Sequence, residues 1–246
     1  MLPILLNNSY FTVYSYPLFM GLAWGFSYHY TLQLFKANGL IFKKFQWFFL
    51  GVFLSAWAGS KLFFLINISN EMTQTYLINS NFWLGGGFVF YGGVIFAVIF
   101  TYFYYRFIEK IEIKAIAIIV ISICFGHAIG RVGCFLAGCC YGTNTNSILG
   151  VHLHGQTVHA VQLYEAFSLI LIGFFLKKLL VKKVEAKKVI LSYFLIYGVD
   201  RFVLEFFRGD SVRGVYNSLS TSQYVSVIMI VVSAILFIKN RSKVRI

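Results

Sequence analysis

Seven long apolar runs, separated by short polar stretches, leave this chain few folds to adopt. They fall at about residues 11–35, 46–68, 84–107, 115–137, 161–181, 187–208 and 219–238. A run of roughly 20 apolar residues matches the hydrocarbon thickness of a bilayer as a helix. Hydrocarbon offers the backbone no hydrogen-bonding partner, so a segment that crosses it closes its bonds internally. The first run reads TVYSYPLFMGLAWGFSYHY, with Pro17 near its start, where a helix tolerates proline. Lys177 and Lys178 interrupt the fifth run and are expected to snorkel to the interface. Only 12% of residues are charged, against roughly a quarter in a soluble domain. With two prolines and no polar linker, residues 1–246 read as one transmembrane domain. The first run lacks a basic flank and an A-x-A-like site, so no cleavable signal peptide is expected.

The distribution of basic residues sets an orientation. Lys36, Lys43 and Lys44 follow the first run, and Arg106, Lys110 and Lys114 follow the third. Lys177, Lys178, Lys182, Lys183, Lys187 and Lys188 accompany the end of the fifth, and Lys239, Arg241, Lys243 and Arg245 lie in the tail. These alternate connections hold 16 of the 21 basic residues. The positive-inside rule therefore predicts an outer N-terminus and a cytoplasmic C-terminus, which requires an odd number of spans. The same pattern accounts for the net charge of +13 without nucleic acid, since basic loops face anionic lipid heads.

Lys61, Arg131, Glu165, Asp200, Arg201 and Glu205 remain inside or at the edge of the runs. A charge at this depth costs about 2.5–3.5 kcal/mol on insertion scales, so it is normally paired or functional. Ion pairs that merely lock helices would satisfy the first condition. The predicted orientation, however, collects these groups in the outer half of the bilayer. Tyr197, Arg201, Glu205 and Arg208 are spaced to share one helical stripe, as are His127, Arg131 and Cys134. His159, Gln162 and Glu165 would cluster too if their helix begins early enough. The expected architecture is all-α: a polytopic membrane protein of about seven helices around a polar cavity open to the outer leaflet. Guanidinium groups at headgroup depth suit a phosphate, because they stay charged and donate bidentately. An anionic phospholipid is the ligand most available there.

The segment GRVGCFLAGCCYG (130–142) is similar to the glycine-arginine signature of the bacterial prolipoprotein diacylglyceryl transferases. GGGFVFYGGVI (85–95), HAVQLYEAF (159–167) and YGVDRFVLEFFRGD (197–210) resemble further blocks of that family in order and spacing, and Tyr16-Pro17 suits its first span. The resemblance implies transfer of a diacylglyceryl group from phosphatidylglycerol to the lipobox cysteine of a prolipoprotein, releasing glycerol phosphate. It implies an inner-membrane location, no metal or diffusible cofactor, and a single chain as the working unit. By position, Arg131 and Arg201 match the family's essential arginines. Tyr16, Gly133, Gly142, Gln162, Glu165, Tyr197, Glu205 and Arg208 match its substrate-side positions.

The chain departs from the family around the nucleophile. Tyr91 stands where the pattern has a histidine, Cys134 and Ala137 where asparagines are usual, and Cys139 where a glutamate is usual. Lys61 replaces an arginine, and no proline precedes Asp210. Two transferase readings follow. Either His127 or Tyr91 serves as the base, or the chain is a cysteine-rich paralogue that modifies an acceptor other than a lipoprotein. A third reading makes Cys134, Cys139 and Cys140, with His127, His152, His154 and His159, a zinc or copper site. On an oxidising outer face Cys134 could instead bridge to Cys139 or Cys140.

Overall fold

A computed structural model describes residues 2–8, 12–66, 76–78, 82–83, 89–153, 155–209 and 214–242. Seven helices of 18 residues or more occur among them: α1 (Ser15–Ala37), α2 (Phe45–Ile66), α3 (Phe90–Phe107), α4 (Ile113–Ala137), α5 (Val161–Val181), α6 (Ala186–Leu204) and α7 (Thr221–Ser242). α2, α4 and the Thr221–Asn240 part of α7 are long and apolar enough to cross a membrane, with mean hydropathies of 1.8, 2.1 and 2.1. The protein is accordingly a helical membrane protein. The all-α expectation needs one correction, because the described residues include three short antiparallel hairpins, one before α1, one between α4 and α5 and one between α6 and α7. They are β1 (Ile4–Asn7) with β2 (Thr12–Tyr14), β3 (Gly150–Leu153) with β4 (Gln156–His159), and β5 (Val215–Tyr216) with β6 (Leu219–Ser220).

The chain forms two compact units, residues 1–34 with 113–246 and residues 35–112. In the larger unit α4 is the central element. Ala117, Ile118, Ile121, Ser122 and Cys124 on it are fully enclosed. Small residues set the helix spacing: a Cβ on Gly126 would collide with Ser27 Oγ and approach the Ala23 carbonyl oxygen of α1 to 2.9 Å. Gly173 of α5 similarly accommodates the Phe125 ring of α4, and Gly198 of α6 faces Ser226 and Ile230 of α7. Such close approach is how helices associate where lipid removes the hydrophobic drive between them.

In the smaller unit α2 and α3 meet through Gly59 and Gly92, each placed so that a Cβ would strike the other's carbonyl oxygen. Phe42, Phe45, Phe48, Phe100 and Tyr104 pack as an aromatic cluster at one end. The Glu109 carboxylate accepts the backbone N–H groups of Lys43 and Lys44 at 3.2 and 3.1 Å. Lys61, the intramembrane lysine, is buried; its ammonium donates to the Phe82 carbonyl and lies 4.4 Å from the Phe82 ring centroid.

Candidate functional site

The polar stripes of the larger unit meet at one carboxylate. Glu165, on the second turn of α5, is fully buried. It pairs with Arg131 of α4 through Oε2, and Arg201 Nη1 of α6 stands 3.6 Å from the same oxygen. Oε1 accepts a hydrogen bond from Tyr197 Oη at 3.0 Å and lies 3.7 Å from His127 Nε2. The His127 and Tyr197 rings also meet edge to face, 5.8 Å between centroids. Three helices thus lock their polar residues around Glu165. Sequence spacing placed Glu165 near the site but gave no signal that it is the hub.

A second buried carboxylate extends the array. Glu205 Oε2 lies 2.8 Å from Arg201 Nη2 and 3.9 Å from Arg208 Nη1. Arg131, Arg201 and Arg208 are each only 11–12% exposed along the side chain. Arg201 Nη2 also donates to Ser222 Oγ of α7 at 3.4 Å. Asp200, one residue away, accepts from Ser168 Oγ at 2.9 Å and takes no part in the ion pairs among the described residues. Within these ion pairs three guanidiniums face two carboxylates, an excess of one positive charge, and Asp200 is a third carboxyl within electrostatic range of Arg131 and Arg201. Arg131 Nε and Arg201 Nη1 are buried without a hydrogen-bond acceptor among the described residues. Buried donors of this kind are costly unless something completes them.

Two stripe expectations change in detail. The 187–208 run stops being α-helical at Leu204; Glu205–Phe207 form a 3-10 turn and Arg208 is extended. Arg208 reaches Glu205 from beyond the helix rather than from its surface. Likewise α5 begins at Val161, so His159 ends β4 instead of opening the helix. Its ring packs against Phe207 and lies 3.4 Å from Tyr164 Oη through Nδ1. Gln162 does sit on α5, but its amide donates to the Cys139 carbonyl at 2.6 Å, tethering the segment after α4.

That segment is bonded to two further stretches of backbone. Gly142 N–H donates to the His159 carbonyl at 2.9 Å, Thr143 N–H to that of Phe207 at 2.8 Å, and Gly209 N–H to that of Tyr141 at 3.0 Å. Three strands of backbone from distant parts of the sequence cross here. Gly142 is obligatory for that crossing, since a Cβ would lie 2.5 Å from His159 Cβ and 2.6 Å from the His159 oxygen. Gly133 abuts Phe19 of α1. Tyr16, in the first turn of α1, stands within electrostatic range of Arg131 and of Cys134, Cys139 and Cys140. Tyr91 belongs to α3, but its side chain lies outside the described residues.

All four cysteines are free thiols. The sulfurs of Cys134, Cys139 and Cys140 lie within 4.8 Å of one another, with no histidine in the group among the described residues. The Cys139 thiol donates to the Cys134 carbonyl at 3.5 Å, and Cys140 lies within electrostatic range of Arg131 and Arg208. His154 lies outside the described residues.

Residues 3–239 match the family model described as prolipoprotein diacylglyceryl transferase. The chain is similar to the phosphatidylglycerol–prolipoprotein diacylglyceryl transferase of Clostridium tetani, 34% identical over 73% of each chain. It is also similar to phosphatidylglycerol–prolipoprotein diacylglyceryl transferase 2 of Clostridium perfringens, 30% identical over 78% of this chain and 77% of that protein. A third relative, from Finegoldia magna and of the same name, is 35% identical over 65% of this chain. With the match running over nearly the whole length, the chain is a transferase of the prolipoprotein diacylglyceryl transferase family.

Proposed function

We propose that the protein transfers a diacylglyceryl group from phosphatidylglycerol to the lipobox cysteine thiol of a prolipoprotein. The observation that carries this reading is the buried array of three arginines on two glutamates, one positive charge in excess, with unfilled guanidinium donors. A phosphodiester brings one negative charge and oxygen acceptors for the open Arg131 Nε and Arg201 Nη1 donors. The relatives' names supply the donor and acceptor classes.

In this mechanism Arg131 and Arg201 hold the donor phosphate, and Arg208 joins them from the outer side. Glu165 and Glu205 fix the guanidinium positions, and Tyr197 steadies Glu165. Tyr16, Gln162, Gly133 and Gly142 shape the headgroup side. The acceptor thiol gives its proton to His127, which Glu165 orients, with Tyr91 the second candidate base on sequence position alone. The thiolate sulfur then forms a bond to the glycerol carbon while the carbon–oxygen bond to phosphate breaks. The electron pair leaves with glycerol phosphate, whose added charge the arginines stabilise as it develops. The reaction runs in one domain and one chain, in the bacterial inner membrane. Seven helices cross it around a cavity that opens to the outer leaflet, with the N-terminus outside and the C-terminus in the cytoplasm.

Release of glycerol phosphate from labelled phosphatidylglycerol, in the presence of a lipobox peptide, tests the arginine roles. Arg131→Ala and Arg201→Ala are each expected to lose at least the ~100-fold typical of one lost transition-state donor. Undiminished release by both variants would remove the phosphate site.

A further inference from the structure

We propose that Cys134, Cys139 and Cys140 form a binding site for a soft d10 metal ion, zinc or copper(I), held by three thiolates with a further position open. The three sulfurs come from the last turn of α4 and the chain reversal after it. All lie within 4.8 Å of one another. A metal–thiolate bond of about 2.3 Å places tetrahedral sulfur neighbours about 3.8 Å apart, so the cluster needs only a small contraction to close on an ion. Thiolates are the ligands that select zinc and copper(I) over harder cations.

The backbone around the cluster is shaped to bring the sulfurs together. Gly138 and Cys140 both take left-handed conformations, φ +73° and +57°, and the latter is uncommon for a residue with a side chain. Cys139 N–H donates to the Cys134 carbonyl at 3.1 Å, folding the segment back over the helix end. Gln162 of α5 then clamps the Cys139 carbonyl. A disulfide would use two of the sulfurs and leave the third without a purpose at the same point. Three thiolates around a zinc or copper(I) ion carry net negative charge, and Arg131 and Arg208 are both within electrostatic range of Cys140 to offset it. Cys134 is buried, Cys140 half-buried and Cys139 exposed, so the site is anchored inside and reachable from outside.

The metal site neighbours the arginines of the proposed phosphate site, but it is tested without the transfer reaction. Full-length protein in detergent micelles is reduced, stripped of metal and kept anaerobic. It is then titrated with Zn2+ alone and with Cu+ alone against a coloured chelator. A single ion per chain, of one or both metals, is the expected result. Cys139→Ser, at the exposed position, should weaken uptake by about a hundredfold or more, at the upper end of what even outer-sphere partners contribute. Cys134→Ser and Cys140→Ser should do the same with the helical circular dichroism retained, while Cys124→Ser binds as the parent does. Failure of the reduced protein to take up either ion would overturn the proposal. So would uptake unchanged in folded Cys139→Ser.

Discussion

Replacing Glu165 by glutamine probes the hub of the site with almost no change of shape. The carboxylate is fully buried, pairs with Arg131, lies 3.6 Å from Arg201 and accepts from Tyr197. Its loss leaves Arg131, Arg201 and Arg208 facing Glu205 alone, raising the excess from one positive charge to two. Breaking a buried pair from one side costs about 3–5 kcal/mol, because the partner charge stays buried. For a chain of this size that corresponds to a fall in Tm on the order of 10 °C. The double variant Glu165→Gln/Arg131→Gln restores the original excess of one charge and is expected to melt above the single variant. The double variant should lack transferase activity, because the donor phosphate has lost a ligand. Thermal unfolding in micelles, followed by circular dichroism, measures the cycle. Additive melting shifts, or a double variant less stable than Glu165→Gln, would refute the charge reasoning.

Tyr197→Phe removes a charge-assisted hydrogen bond to the Glu165 carboxylate and should cost about 1.5–3 kcal/mol of stability, with a larger fall in kcat than in lipid affinity. Gly142→Ala forces a Cβ against the His159 backbone at the three-way crossing. A loss of about 1–3 kcal/mol is expected by thermal unfolding, along with reduced turnover. Gly126→Ala should cost a similar amount by parting α1 from α4. Adding Ser27→Ala to it should recover only part of the loss, since the Ala23 carbonyl still opposes the new methyl group at 2.9 Å.

Much of this molecule is legible in its sequence, and the limits have physical causes. Each of the seven described helices overlaps one of the apolar runs, with ends that differ by a few residues, because helix formation in lipid follows local composition. The arginine stripes were readable because helical spacing is a local property. Glu165 as the common partner of Arg131 and Arg201 was not readable, since it depends on which faces of three helices meet. The β3–β4 hairpin had a usable signal in the alternation of VHLHGQTVH about Gly155, whose φ is +77°. The end of α6 at Leu204 was hidden for a different reason. Glu205, Phe206 and Phe207 continue the helical pattern, yet the Phe207 carbonyl is taken by Thr143 N–H, a contact from a remote segment. The grouping of Cys134 with Cys139 and Cys140 is legible in their spacing, whereas the left-handed backbone at Cys140 is not.

The most direct test of the proposed reaction is the intact mass of a lipobox cysteine peptide after incubation with the purified protein and phosphatidylglycerol. The expected product is heavier by one diacylglyceryl group on the cysteine sulfur, and absent with Arg131→Ala. An unmodified peptide, when a relative with demonstrated transferase activity modifies it in the same assay, would contradict a lipobox thiol as the acceptor.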